Sequence, residues 1–152
     1  MILTCFNWIY VTIMASLYGW GFLKIIKKFF HFQVKRISVI LWSGIMLLTC
    51  YAECFSLIAP VGKMANVILC IGALCLLLLC RKEIAETVGT VKKNICNKSN
   101  LWKIILFLVI ILGFVFVACQ KATHADTDGY HTQAIRWIEE YGVVKGLGNL
   151  YN

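Results

Sequence analysis

The chain has 152 residues, 61% of them hydrophobic and 14% charged, with a mean hydropathy of +0.80. A soluble domain carries about 25% charged residues, and this composition could not cover a surface in water, so an ordinary soluble enzyme is excluded. The net charge of +8 would suggest nucleic acid in a soluble protein, but here the basic residues sit where apolar runs end, which points to lipid headgroups and away from nucleic acid.

Four apolar runs approach the roughly 20 helical residues that a hydrocarbon core requires. They are residues 2–23, 37–59, 64–80 and 101–119. The expected fold is therefore all-α: a polytopic membrane bundle of four transmembrane helices within residues 1–119, plus one outer amphipathic helix in residues 120–152. The first run has no positive segment before it, and its lysines follow it, so it reads as a retained span and not a cleaved signal. In the connection after it, Lys24, Lys27, Lys28, His31 and Lys35 recur at helical spacing. Either an interfacial amphipathic helix or a first span that overruns the membrane fits this pattern. Runs two and three are separated by Pro60-Val-Gly-Lys63 and read as a tight helical hairpin.

Orientation follows from the connections. Lys24, Lys27, Lys28, Lys35 and Arg36 lie in the first, and Arg81, Lys82, Lys92, Lys93, Lys98 and Lys103 in the third, both on one side of a four-span chain. Only Lys63, Lys121, Arg136 and Lys145 fall on the other. Positive-inside asymmetry makes the two basic connections cytoplasmic and places both termini outside a bacterial cytoplasmic membrane. Trp8, Trp20, Trp42 and Trp102 lie near span ends, as an aromatic belt would place them.

Of the eight cysteines, Cys50, Cys54, Cys70, Cys75 and Cys80 are in or at the ends of spans and read as small apolar residues. No CxxC pair or zinc spacing occurs. Cys5 and Cys119 approach the outer face, where a disulfide would require two spans that nothing in the sequence places side by side.

Charge inside a span is costly, which singles out Glu53. Thr49, Glu53 and Ser56 form one stripe of the second helix, with Glu53 about 10 Å below its outer end. Either the carboxylate faces a water-filled cavity, or it packs against another helix in protonated or hydrogen-bonded form.

The composition changes most after Cys119. The segment from Gln120 to His131 brings together Lys121, His124, Asp126, Asp128, Tyr130 and His131. Such a cluster at a membrane mouth can bind a divalent cation or take a proton from a sugar hydroxyl. Asp126-x-Asp128-Gly129 starts like a calcium loop, but the later ligands are missing. Asp128 also suits an N-cap for the helix expected from Tyr130 to Tyr141 and stopped by Gly142. On that helix Tyr130, Ala134, Trp137, Ile138 and Tyr141 share a face, and Arg136 can pair with Glu139 and Glu140.

The string from Asp126 to Leu150, DTDGYHTQAIRWIEEYGVVKGLGNL, resembles the D-x-x-x-Y-H-x-Q-x-I-x-W-I-x-x-Y-x-V-x-x-G-L-x-N-L signature of a group of bacterial polytopic membrane proteins. That group is similar to the C-type glycosyltransferases, which use lipid-phosphate sugars. The resemblance implies an acidic catalytic residue in an outward loop: Asp126 first, then Asp128 and His131. Glu53, Lys121, His124, Tyr130 and Arg136 are weaker candidates for binding substrate. Those enzymes commonly carry the acidic loop after their first span, here it follows the fourth, and their chains continue into further spans. The expectation is accordingly an N-terminal, truncated portion of a glycosyltransferase-like enzyme acting on a lipid-linked sugar at the outer membrane face, inactive alone. The alternative is a small non-catalytic four-span protein that acts through helix-helix contacts with partners. A transporter built around Glu53 is a third reading, but the runs lack an internal repeat and Gly/Pro-broken helices.

Overall fold

The computed structural model describes residues 2–31, 36–97, 100–120 and 131–143, and the regular structure among them is helical. In chain order the helices are α1 (Ile2–Phe30), α2 (Ile37–Ser56), α3 (Lys63–Leu79), α4 (Arg81–Ile95), α5 (Leu101–Ala118) and α6 (Thr132–Tyr141). Three of them, α1, α2 and α5, are long and apolar enough to cross a membrane. A fourth crossing would come from α3 with α4, a pair bent by 80° at a short break.

The first connection resolves in favour of overrun. At 1.5 Å per residue the 29 residues of α1 extend about 43 Å, well beyond a hydrocarbon core of about 30 Å. His31 ends the helix in the left-handed region, at φ 55°, with its N–H donating to the Lys27 carbonyl at 3.1 Å. Histidine is among the few non-glycine residues that adopt this cap conformation readily. An amphipathic helix does form at the basic end of the bundle, but it is α4, in the other basic connection.

The bundle is organised around α1. It packs most extensively on α2 and next on α3, whereas α2 and α3 make no extensive contact with each other. The expected hairpin is therefore two helices that are joined by a short turn and meet near it, while each packs more extensively on α1. Small residues explain why. Hydrocarbon gives helices no hydrophobic reason to associate, so close backbone approach at small side chains carries the packing. Ala15 and Gly19, one turn apart on α1, lie against Gly44 and Ile40 of α2. A Cβ on Gly19 would stand 1.9 Å from the Ile40 carbonyl oxygen, and one on Gly44 1.7 Å from that of Ala15.

Tyrosine hydroxyls tie α3 to its neighbours. Tyr18 donates to the Leu69 carbonyl at 2.9 Å and Tyr51, from α2, to the Ala65 carbonyl at 2.8 Å, while Tyr10 meets the Asn66 side chain. In a medium without water these bonds replace partners that would otherwise be lost. The buried centre holds Met14, Leu17 and Ala73, with Trp20 packed against them. Trp20 is half-buried there, and its indole N–H is buried without a partner. Trp8, Trp42 and Trp102 are exposed.

The cross-chain contacts fix which ends coincide. Tyr10 meets Asn66, Lys24 meets Glu83, and the Thr4 hydroxyl lies 3.3 Å from the Cys119 thiol. The start of α1, the turn between α2 and α3, and the end of α5 therefore share one end of the bundle. Among the described residues, Lys24, Lys27, Lys28, Arg36, Arg81, Lys82, Lys92, Lys93 and Lys103 gather toward the other.

Candidate functional site

At the end opposite those cations, α6 is fastened to the turn between α2 and α3 by its main chain. The Ile138 carbonyl accepts from Val61 N–H at 3.0 Å and from Gly142 N–H at 3.2 Å, and Val143 N–H donates to the Ser56 carbonyl at 2.9 Å. The approach depends on two glycines. Gly142 has φ 73° and is buried, and a Cβ there would lie 2.9 Å from the Ser56 oxygen. A Cβ on Gly62 would lie 3.1 Å from the Glu139 oxygen. Glycine at Gly142 both stops α6, as the sequence suggests, and lets its end touch the turn.

Helix α6 is described from Thr132, with His131 before it in helical geometry, and Asp128, the expected N-cap, lies outside the described residues. Ala134 is half-buried, whereas Trp137, Ile138 and Tyr141 are 36%, 41% and 63% exposed, so the apolar face is largely open. Trp137 and Tyr141 stack against one another, with ring centroids 5.6 Å apart. Arg136 forms no ion pair with Glu139 or Glu140; the ion pair among the described residues is Lys24 with Glu83. Exposed pairs gain little Coulomb energy and lose side-chain freedom, so spacing alone does not make one.

Of the candidate residues, His131, Arg136 and Glu53 are described. Asp126, Asp128, Lys121, His124 and Tyr130 lie outside the described residues. His131, just before α6, and Arg136, on it, are exposed at the same end as Lys63 and Cys119. Glu53 is exposed, so it does not pack against another helix. It also lies closer to the end than the sequence implied, three residues before the close of α2, or about 4.5 Å of rise. The chain leaves helix at Ser56 instead of Ala59 because the following residues form the turn that receives α6. Thr49 and Ser56 share one side of α2 with Glu53, as the spacing implies, but neither hydroxyl bonds its carboxylate. Their hydroxyls donate to carbonyls of their own helix, those of Ile45 and Glu53.

All eight cysteines are free. The Thr4 hydroxyl beside Cys119 holds that thiol below its ordinary value, and it marks an adjacency of first and last spans that the sequence does not reveal. Among the described residues no group of three His, Cys, Asp or Glu side chains could hold a metal ion. A cavity of about 210 Å³ between α1, α2 and α4 is lined by Ser16, Trp20, Ile40, Thr87, Val88 and Val91 among others, and it holds no titratable group.

A family model described as "Domain of unknown function (DUF8201)" matches residues 1–152. The chain belongs to the DUF8201 family. No match was found for it among curated proteins or among solved structures. In this DUF8201 chain the docked α6 and the residues beside it form the candidate site. What sequence reasoning missed here is the fastening itself. Its signal was present as two glycines, Gly62 and Gly142, in segments otherwise read only as a turn and a stop.

Proposed function

We propose that the protein is a four-span component of a bacterial cytoplasmic membrane, with its basic connections cytoplasmic and α6 on the outer face. There it belongs to a glycosyltransferase-like site for a lipid-linked sugar phosphate. The observation that supports this reading is the main-chain docking of α6 on the turn between α2 and α3, at the end away from the nine gathered cations. The Asp126–Asp128 stretch directly precedes this anchored helix in the sequence, and Lys63 and Arg136 are cations of the same end.

In this reading Asp126 takes the proton of an acceptor hydroxyl, and Arg136 and Lys121 meet the phosphate. If a divalent cation takes part, Asp126 and Asp128 are the carboxylates that would hold it, and it would neutralise phosphate charge. The test is sugar transfer from a polyprenyl-phosphate donor in membranes containing the protein. Asp126→Asn should lower it by roughly 10²- to 10⁴-fold without changing membrane insertion. Equal transfer by the variant would move the role away from Asp126.

The exposure of Trp137, Ile138 and Tyr141 favours a second reading, in which α6 is a docking surface for another membrane protein. Under it, Trp137→Ala would abolish a crosslinked association, and Asp126→Ala would leave that association intact.

A further inference from the structure

Helix α4 departs from α3 at 80°, with Cys80 buried at the joint. If α3 crosses the bilayer, as the proposed function has it, a helix at that angle runs along the membrane surface. Its pattern suits such a position. Ile84, Val88, Val91 and Ile95 recur at steps of four, three and four, which places them on one stripe. Ile84 and Val91 are half-buried against the bundle, while Val88 and Ile95 remain 56% and 54% exposed.

Charge is distributed unevenly about this stripe. On one flank is Glu83, whose carboxylate is 3.0 Å from the Lys24 ammonium and so already neutralised. On the other flank, by the 100° step of a helix, are Arg81 and Lys92, three turns apart and exposed. Glu86 falls on the opposite, polar face with Lys82 and Lys93. The side of α4 that carries exposed valine and isoleucine therefore carries two cations and no free carboxylate.

We propose that this side of α4 binds anionic phospholipid headgroups of the inner leaflet, with Val88 and Ile95 in the acyl boundary and Arg81 and Lys92 on the phosphates. A nucleic acid would satisfy the same cations but leave both apolar side chains in water. The headgroup layer satisfies all four.

The experiment uses the full chain in phosphatidylcholine vesicles, with trace spin-labelled phosphatidylglycerol or phosphatidylcholine, and reads the motionally restricted fraction of each label. A basic residue at an anionic surface favours it by about fivefold. The wild type should prefer the glycerol label, and the pair Arg81→Gln with Lys92→Gln should lose most of that preference. The swap Arg81→Lys with Lys92→Arg should keep it, which separates charge from folding, and Lys63→Gln at the other end should leave it unchanged. Equal preference in wild type and the glutamine pair would overturn the proposal, as would binding of an RNA oligonucleotide without any lipid preference. Restriction of neither label would instead refute the membrane-spanning reading.

Discussion

Gly44→Ala tests the α1–α2 seam more directly than any other substitution. The added methyl would stand 1.7 Å from the Ala15 oxygen, 2.5 Å from its carbonyl carbon and 2.9 Å from its Cα, all of them backbone atoms that cannot rotate away. Bringing the shortest of these contacts out to even 3.0 Å requires the helices to part by 1.3 Å at the seam. Two effects then oppose one another. Alanine is the better helix former by roughly 1 kcal/mol, whereas forcing apart a packed interface costs about 1–3 kcal/mol. The propensity gain can be measured separately at Gly113, in α5, where a Cβ would meet nothing within 4 Å. Unfolding of the chain in mixed micelles, followed by far-ultraviolet circular dichroism as denaturing detergent is raised, should show Gly113→Ala neutral or stabilising and Gly44→Ala destabilising. The separation between them should be about 1–3 kcal/mol. If the two variants behave alike, the close approach of α1 and α2 is refuted, and with it the account of why α1 packs most extensively on α2.

Other expectations follow from the same contacts. Thr4→Cys should form a disulfide with Cys119 under mild oxidation, seen as a linked peptide by mass spectrometry; a bond only to other cysteines would contradict the α1–α5 adjacency. Glu83 is held below its ordinary 4.5 by its own backbone N–H and by Lys24, so its contribution is present above about pH 4.5 and is lost as pH falls through the lower folded value. Both side chains are over two-fifths exposed, so a Lys24→Met and Glu83→Gln cycle should yield at most about 1 kcal/mol near neutral pH and nothing in strong acid. Gly142→Ala combines a left-handed backbone with a 2.9 Å contact and should loosen α6 by about 1–2 kcal/mol. Faster amide exchange at Val61 and Val143, with the spans unchanged, would register the loss.

Runs of apolar residues and the placement of lysines made the helical class and most helix positions legible, because length and hydropathy act residue by residue. Partner choice was not legible. Ala15, Gly19 and Gly44 look like ordinary members of apolar runs, and their meaning arises only when two helices face each other. Asn66 went unremarked inside the third run, while Glu53 drew attention as the charged residue; Asn66 is the one that meets a neighbouring helix through Tyr10. The second basic connection read as a loop because charge dominated its appearance, yet the period of Ile84, Val88, Val91 and Ile95 was there to be counted. At the candidate site, the Trp137 face and the stop at Gly142 were readable from spacing. The docking of α6 was not, because main-chain hydrogen bonds leave no side-chain signature.

That docking also bears on how the molecule is made. The Val61 N–H and the Ser56 carbonyl belong to a turn that leaves the ribosome early, yet their partners, Ile138 and Val143, belong to its far later segment. Until that segment emerges, the two groups must be satisfied by water or headgroups, which is possible only if the turn stays at the membrane surface. The turn between α2 and α3 is in this sense an open socket during biosynthesis. Closing it is the step that would report completion of the outer end, and a pulse-chase measurement of protection at this turn would time it.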